Sequence, residues 1–273
     1  MNWPPPKPRI RRAVAVPSST FCQLKEPART LHAAFLARAL AIFRVEEVFI
    51  YEESSIRCSW LSKILRAFET PQYLRRLLVP QDEDLRFIGM APPLAIPSHQ
   101  LRGENLPYRE GVVLRRKRGM VEVEAGLGEP ITARGTAEPG SRVTLLREGD
   151  GWVVAGYNSL NVYWGYRVFC FNSLRELLDK TKDDYLTVLT SRYGVPFREL
   201  RGRIEEEARR RGMLLLVFGT WNRGLHEIAR REGFNLEAFS SLVVNVAPLQ
   251  GTRTIRTEEA VMIALSLLND LLQ

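Results

Sequence analysis

Two polar segments of this sequence are the best suited to hold a ligand, because each directly follows an apolar run typical of a buried strand. The first, at residues 218–227, follows the run at 213–218 and precedes a short helical pattern. Its Gly219 lets a ligand approach the backbone, and the amides of a helix N-terminus suit an electron-rich or anionic group. The alternative is an ordinary turn, which any α/β protein needs at such a place.

The second segment, at residues 245–259, joins a predicted strand at 242–246 to the last predicted helix. Thr257 can cap that helix, with Glu258 and Glu259 favourably placed in its first turn. A cap does not explain residues 250–256, which offer many hydrogen-bond donors around a flexible glycine. We therefore expect this connection to contact a ligand as well.

Several other kinds of site are disfavoured by what the sequence lacks. It has no Gly-Lys-Ser/Thr phosphate loop and no Gly-x-Ser-x-Gly nucleophile elbow. Its three His lie far apart, without ligands at metal spacing, so no metal site is predicted. Its three Cys form no CxxC motif, which argues against a disulfide framework and favours a reducing, cytoplasmic compartment. No apolar run approaches the roughly 20 residues of a membrane span, and the Pro-rich start is unlike a signal peptide.

The charge balance is basic and dominated by arginine. There are 39 Lys and Arg against 31 Asp and Glu, a net charge of +8, and only six of the basic residues are Lys. Arginine binds phosphate in a bidentate manner and stacks on bases, so the excess fits a nucleic acid partner; a genomic or thermal bias toward Arg is the alternative. The densest cluster is at residues 115–118, whereas the arginines at 209–211 follow three glutamates by four residues and are expected to pair with them.

The order of predicted elements indicates an α/β fold with a parallel sheet. Apolar strand patterns alternate with helical ones before residue 93 and again after residue 157. The predicted strands are at 13–16, 48–51, 185–190, 213–218 and 242–246, and the predicted helices are at 31–43, 60–78 (interrupted at Thr70-Pro71), 198–211, 225–231 and 257–272.

The middle of the chain has a different pattern. Residues 96–157 hold 10 of the 19 glycines, and short alternating runs at 111–114, 120–124, 142–146 and 152–155 indicate a small antiparallel barrel. We therefore predict a basic tail at 1–12, an α/β domain formed by 13–93 and 158–273, and an inserted OB-like RNA-binding barrel at 94–157. Tyr108, Trp152 and Tyr157 are candidate stacking platforms for bases, although Trp152 also fits a core position.

Several stretches resemble the SPOUT, or α/β-knot, methyltransferases, and in particular their archaeal and eukaryotic branch with an inserted OB-like domain. Residues 37–48 are similar to the first SPOUT motif, with Arg38 in a helix before a strand. Residues 214–219 resemble the strand and glycine loop before the knot, and residues 249–260 the knotted loop and last helix. Together with residues 69–75 and 108–111, the likeness spans nearly the whole chain.

This resemblance implies a trefoil-knotted parallel sheet with helices on both faces, a homodimer, and RNA, expected to be ribosomal, as the methyl acceptor. It implies S-adenosylmethionine, without a metal, bound by three loops: after Thr190, at Gly219-Thr220, and from Val246 to Ile255. The knot loop is Thr/Arg-rich here and often Ser/Asn-rich in other branches, so the methylated atom, a base nitrogen such as uridine N3 or the ribose 2′-O, stays open. The implied cofactor-binding residues are Thr190, Gly219, Thr220, Val246, Pro248, Gln250, Gly251, Thr254 and Ile255.

The expected catalytic residues are Arg38 and Glu258. Arg38 matches the family arginine that assists catalysis or holds RNA, the alternative being an ion pair with a carboxylate such as Glu47. Glu258 is a carboxylate that can help to hold a cationic donor, the alternative being a helix cap.

The function expected is thus RNA methylation, with a non-catalytic RNA-binding or assembly factor on the same fold as the alternative. The residues expected to contact RNA are Arg75, Arg76, Arg115, Arg116, Lys117, Arg118, Arg253 and Arg256, with Lys7, Arg9, Arg11 and Arg12 as weaker candidates.

Overall fold

The computed structural model describes residues 3–272, which form two compact units. The barrel unit comprises the chain up to residue 6, residues 67–86 and residues 93–165; the sheet unit comprises residues 7–66, 87–92 and the chain from 166 onward. The barrel unit therefore contains more of the chain than the 94–157 insert expected from the sequence. The elements are β1 (Arg11–Pro17), α1 (Ala28–Ile42), β2 (Glu47–Tyr51), α2 (Ser59–Glu69), α3 (Arg75–Leu78), β3 (Tyr108–Lys117), β4 (Met120–Glu124), β5 (Ile131–Arg134), β6 (Arg142–Glu148), β7 (Gly151–Ala155), β8 (Arg167–Phe171), α4 (Leu174–Thr181), β9 (Leu186–Pro196), α5 (Phe197–Arg211), β10 (Met213–Val217), α6 (Leu225–Arg231), β11 (Val243–Asn245) and α7 (Thr257–Leu271).

The sheet unit is built on six parallel strands in the order β11-β9-β10-β1-β2-β8. Successive residues of β1 such as Val14 and Ala15 are both fully buried, so both faces of the sheet are covered. Side chains of α4 and α6 pack against one face, together with Ala15 and Phe49. The predicted α/β architecture with a parallel sheet is confirmed.

Arg12 corrects one of the weaker RNA-binding predictions. It lies in β1, only 2% exposed, and its guanidinium donates to the Phe43 carbonyl at 3.0 Å and to Asn269 Oδ1 at 2.9 Å. Asn269 belongs to α7, so Arg12 ties the central strand to the helix on the other face from α4. The predicted tail is also shorter than 1–12, because β1 begins at Arg11; its residues 1 and 2 lie outside the described residues.

Arg209 and Arg211, at the end of helix α5, bond within the chain, so they do not indicate a nucleic acid partner. Arg209 donates to Glu205 Oε1 at 2.9 Å, one turn earlier, as the sequence predicts. Arg211 donates to backbone carbonyls, including that of Lys182 at 2.8 Å. The helix ends at Gly212, whose φ of 73° lies in the left-handed region that glycine adopts without steric cost.

The barrel unit contains a closed five-stranded barrel in the order β3-β4-β5-β7-β6, with β6 pairing back to β3. Neighbouring strands are antiparallel except β5 and β7, which are parallel. This is the arrangement of an OB-like barrel, and it confirms the predicted barrel. Strand β5 was not predicted, since its four residues Ile-Thr-Ala-Arg bury fully only Ala133.

A buried ionic cluster lies inside the barrel unit. Arg142 donates to both carboxylate oxygens of Glu69, at 2.5 and 3.0 Å, and its Nε donates to Glu110 Oε2 at 2.5 Å. The other Glu110 oxygen accepts from Trp164 Nε1 at 2.6 Å and from the Thr144 hydroxyl at 2.5 Å. Burial raises the pKa of Glu69 to about 7, although Arg142 opposes this shift. One arginine thus bonds to two buried acids.

Cysteine pairing in the sheet unit departs from the sequence expectation. Cys58 and Cys170 form a disulfide across a sequence separation of 112 residues, and Cys22 is an exposed free thiol. The spacing of three cysteines gave no sign of this pair, because Cys170 lies in β8, a strand that was not predicted. No helix within residues 3–272 combines the length and apolar character needed to cross a bilayer.

Candidate functional site

A cleft of about 660 Å³ lies in the sheet unit, where β9, β10 and β11 run toward their carboxyl ends. Ligands of open α/β sheets bind at this edge, because the loops that leave parallel strands gather there. The volume is within the range of small-molecule sites. Residues from three segments line the cleft: Thr190 to Tyr193, Phe218 to Glu227 except Leu225, and, with gaps, Val244 to Ala260.

The sequence predicted a loop after Thr190. In the structure this first segment is instead the outer half of β9. The strand continues to Pro196 and pairs with β11 after a register shift at Val243/Val244. A Cβ on Gly194 would lie 2.7 Å from the Val243 carbonyl oxygen, so the two strands approach closely only because this residue is glycine. Thr190 donates to the Val217 carbonyl at 2.9 Å, which ties β9 to β10 beside the cleft.

The second segment is a tight turn after β10. The hydroxyl of Tyr51 donates to the Phe218 carbonyl at 2.6 Å, and burial raises the pKa of Tyr51 well above its ordinary value, so it stays a donor. Thr220 Oγ1 accepts from the backbone N–H of Arg223 at 2.8 Å, which closes the turn. A Cβ on Gly219 would lie 2.8 Å from the Arg223 carbonyl oxygen, so any side chain there would displace the turn.

The third segment runs from β11 to α7. Asn245 anchors it by donating to the Arg192 carbonyl at 2.8 Å. Glu259 caps α7 by accepting from the Arg256 backbone N–H at 2.9 Å, and Thr257 is the first helical residue. The prediction that Thr257 caps the helix is therefore wrong, and so is the alternative that Glu258 serves as its cap.

The rim of the cleft carries aromatic and cationic side chains that sequence reasoning missed. Trp221 is 51% exposed and Tyr193 is 83% exposed, and the guanidinium of Arg192 lies 4.7 Å from the Tyr193 ring centroid. Arg223 is held by the buried Glu53 at 3.0 Å. Exposed rings beside guanidinium groups are surfaces on which nucleobases stack. Single aromatics in polar turns give no periodic signal, which is why they were overlooked.

A small cavity of about 30 Å³ shares Thr220, Trp221 and Thr257 with the cleft. It brings together His32 of α1 and Glu258 of α7, with His32 Nδ1 2.5 Å from Glu258 Oε1. The Arg256 guanidinium lies 3.2 Å from His32 Nε2. Nothing in the sequence indicated this contact, because His32 lies 226 residues from its acidic partner.

The structure gathers most of the predicted cofactor residues and separates the two predicted catalytic ones. Pro248 and Gly251 are exposed in the third segment and are not among the described residues that line the cleft. Arg38 is half-buried in α1 and also lies outside that lining, whereas Glu258 lines the small cavity. Glu47, the suggested partner of Arg38, bonds to Arg11, Arg167 and Tyr185. The predicted residues that line the cleft are Thr190, Gly219, Thr220, Val246, Gln250, Thr254 and Ile255.

The predicted RNA-contacting residues fall into two groups. Arg253 lines the cleft and Arg256 the small cavity, both exposed. The other group belongs to the barrel unit: Arg75 and Arg76 begin α3, and residues 115–118 form the exposed end of β3 and its turn into β4. Arg116 is paired with Glu138 at 2.5 Å, which offsets part of that charge.

The three aromatic candidates of the barrel are all half-buried. Trp152 packs against the barrel core, as the core interpretation of its sequence context predicts. Tyr108 makes an edge contact with Trp164, and the Tyr157 hydroxyl donates to the Gly165 carbonyl at 2.7 Å. The barrel therefore presents basic side chains at its β3–β4 turn and keeps these rings in structural contacts.

Comparisons with known proteins identify the relatives of this chain. A protein named "28S rRNA (uridine-N(3))-methyltransferase" from Drosophila melanogaster is 32% identical over 96% of this chain and 62% of its own length. The protein of the same name from Homo sapiens is 32% identical over 94% of this chain and 77% of its own length. An uncharacterized protein of Haloarcula marismortui is 28% identical over 94% of this chain and 98% of its own. The chain thus spans less than two thirds of the Drosophila relative.

The family described as "Putative RNA methyltransferase" matches residues 11–268, which include both the parallel sheet and the barrel. This match confirms the likeness to SPOUT methyltransferases that the sequence motifs indicated. With its six parallel strands, its closed barrel and its cleft at the carboxyl edge of the sheet, the chain belongs to this family of RNA methyltransferases.

Proposed function

We propose that this protein methylates ribosomal RNA at N3 of a uridine, with S-adenosylmethionine as methyl donor. The observation that carries the proposal is the cleft at the carboxyl edge of β9, β10 and β11 in a chain of the RNA methyltransferase family. The choice of uridine N3 over ribose 2′-O rests on relatives named for that reaction, which align over 94–96% of this chain.

The cleft fits this donor in size and in chemistry. Its volume of about 660 Å³ suits a nucleoside with an amino-acid tail, and Gly219, which lines the cleft, permits the tight turn there because it has no side chain. Apolar Val246 and Ile255 line it beside polar Gln250 and Thr254, a combination that accommodates an adenine ring and a ribose. When bound, the donor supplies an electrophilic methyl group on a positively charged sulfur.

The cleft residues contribute mainly position and charge. Methyl transfer is an in-line displacement, so holding the acceptor at the correct distance and angle lowers the barrier. Trp221 and Tyr193 are exposed at the rim and would stack the acceptor base, while Arg253 would contact the RNA backbone. Glu227 is the carboxylate in the cleft lining, although Arg231 pairs with it at 2.8 Å.

The wider assembly follows from the family and from the surface charges. We propose a homodimer and a trefoil-knotted chain path, both implied by the SPOUT likeness. The exposed basic turn at residues 115–118 supports RNA binding by the barrel, because counterion release from phosphate contacts supplies affinity without sequence readout.

Calorimetric titration of the full chain with S-adenosylmethionine tests donor binding, and we expect saturable binding at one site per chain. Mass spectrometry of nucleosides from ribosomal RNA, incubated with protein and isotopically labelled donor, then identifies the product. Labelled 3-methyluridine is expected; labelled 2′-O-methyl nucleosides would overturn the choice of atom. No donor binding by the folded protein at about 1 mM, far above typical substrate constants, would favour a non-catalytic RNA-binding factor.

A further inference from the structure

The contact between His32 and Glu258 defines how the imidazole is protonated. A carboxylate only accepts hydrogen bonds, so the 2.5 Å contact with Glu258 requires a proton on His32 Nδ1. A guanidinium only donates, so the 3.2 Å contact with Arg256 requires a lone pair on His32 Nε2. The two contacts together describe a neutral imidazole whose Nε2 can accept a proton once the exposed Arg256 side chain moves aside.

Burial makes this pair unusual for a structural contact. Glu258 is 6% exposed, and its second oxygen, Oε2, has no hydrogen-bond partner within residues 3–272. A buried carboxylate with a free oxygen is costly unless a cation is close by. An imidazolium at His32 would supply that cation, so the pair is arranged to stabilise a proton arriving on the imidazole.

The location connects the pair to the cleft. The small cavity holding His32 and Glu258 is also lined by Thr220, Trp221 and Thr257, which line the large cleft as well. An acceptor base stacked on Trp221 therefore lies within reach of the cavity. Arg256 is exposed, and its guanidinium can follow the negative charge that develops on the base oxygens as the proton leaves.

We propose that His32 is the general base of the reaction and that Glu258 orients it and stabilises its charged form. This inference rests on the proposed function. The N3–H bond of the uridine breaks and its proton goes to His32 Nε2, while the N3 electron pair forms the bond to the methyl carbon. The carbon–sulfur bond breaks at the same time, its electron pair stays on sulfur, and the donor product leaves as a neutral thioether.

The charged groups that face the imidazole are few. Glu258 approaches from α7 and Arg256 from the residue before it, while the contacts from the β1–α1 connection and from α1 itself are the rings of Phe21 and Phe35. The remaining residues of the cavity lining are uncharged. Within residues 3–272, the charged groups in contact with His32 are thus one carboxylate and one guanidinium.

Single-turnover kinetics with saturating donor and RNA provide the first test. General-base catalysis is worth about 10²- to 10⁴-fold, so His32→Gln is expected to slow methyl transfer by that factor. The rate of the variant should increase more steeply with hydroxide concentration than the wild-type rate, because hydroxide from the solvent must then take the proton. Glu258→Gln should slow the step by at least about 10-fold, as loss of an orienting carboxylate does.

Glu259→Gln is the matched control, because it is the same substitution one residue later, outside the cavity, and it keeps an acceptor for the cap of α7. Its rate should stay within about twofold of wild type. Donor and RNA dissociation constants of all three variants should also be unchanged within about twofold, which separates a chemical role from a binding role.

A second readout does not depend on activity. In the ¹⁵N spectrum of the imidazoles, with His32→Gln used to assign the signals, His32 should carry its proton on Nδ1, and Glu258→Gln should shift this tautomer balance. A proton on Nε2 in the wild type, or a His32→Gln enzyme with wild-type rate and pH profile, would overturn the inference. Failure of the proposed function would look different, since wild type itself would then form no 3-methyluridine.

Discussion

The two units of the molecule differ in where their most informative arginines lie. The barrel unit holds Arg142 between the buried carboxylates of Glu69 and Glu110. The sheet unit also buries charged side chains such as Arg12 and Glu53, and it gathers Arg192, Arg253 and Arg256 at the carboxyl edge of its strands or just beyond it. The excess of arginine in the composition therefore combines at least two populations, one structural and one exposed beside a cleft.

This difference shows how to interpret an arginine-rich sequence. Within the barrel unit, Arg142 is structural and residues 115–118 are exposed; within the sheet unit, Arg12 and Arg211 bind backbone carbonyls. Only burial and partners separate the two populations. Substitutions in each unit can test which side chains stabilise the fold and which bind a ligand or RNA.

Arg142→Leu should have the largest effect on stability. It would leave Glu69 and Glu110 facing one another in a buried site without their cation, and breaking such a cluster costs about 3–5 kcal/mol. Denaturant unfolding of the full chain, followed by tryptophan fluorescence, measures this loss. Arg134→Leu is the control, because its pair with Glu148 is exposed and should contribute at most about 1 kcal/mol. Equal effects of the two changes would contradict the structural role of Arg142.

Reduction of the Cys58–Cys170 disulfide should lower the free energy of unfolding by about 2–4 kcal/mol, because the bond closes a long loop of the unfolded chain. Thermal unfolding with and without a reducing agent measures the change. Cys58→Ser should behave as the reduced protein does, and Cys22→Ser should match wild type because Cys22 is exposed and forms no disulfide. If reducing agent leaves the midpoint of unfolding unchanged, the bond does not stabilise the sheet unit.

Gly219→Val should weaken donor binding by about 10- to 100-fold while the chain stays folded, because a Cβ there would lie 2.8 Å from the Arg223 carbonyl and displace the turn. Calorimetry with S-adenosylmethionine measures the affinity. Gly202→Ala is the matched control in α5, where an added Cβ meets nothing within 4 Å. Unchanged affinity of the valine variant would place the donor away from this turn.

Serine at positions 115, 117 and 118 should produce the smallest of these effects. We expect RNA affinity to fall by about 10-fold and the salt slope to become shallower by about 0.7 for each phosphate that the turn no longer neutralises. Filter binding at several salt concentrations measures both. The control changes Arg203 and Arg209 to serine, since both are paired with glutamates on α5. A salt slope unaffected by the barrel substitutions would exclude this turn from the RNA interface.

The sequence predicts best those strands and helices whose own residues form a clear apolar pattern. Residues 13–16 of β1 and the whole of β10 are apolar because both faces of the sheet are covered, and α6 has the predicted bounds of 225–231. The outer half of β9 escaped prediction because its side chains there are polar or exposed. Its pairing with β11 depends on a close backbone approach that only the fold reveals.

In the candidate site, too, the sequence predicted contiguous motifs but not contacts between residues far apart in the chain. The family likeness located the three segments of the cleft, because their glycine and threonine residues form contiguous motifs. The pair of His32 and Glu258 could not be predicted, since it joins α1 to α7 across 226 residues of sequence. Arg38 was favoured by the motif, yet it lies outside the cleft lining of the described chain.

The position of β1 in the sheet has a consequence for biosynthesis. This first strand pairs with β10, some 200 residues later, so the middle of the sheet cannot close until residues 213–217 have left the ribosome. The strands of the barrel, in contrast, all lie between residues 108 and 155 and can pair early. At roughly 5–20 residues per second, the N-terminal strand waits about 10–40 s with its apolar face unsatisfied. The nascent chain is therefore exposed to aggregation in β1 and β2 during that interval, which makes them natural binding sites for a chaperone.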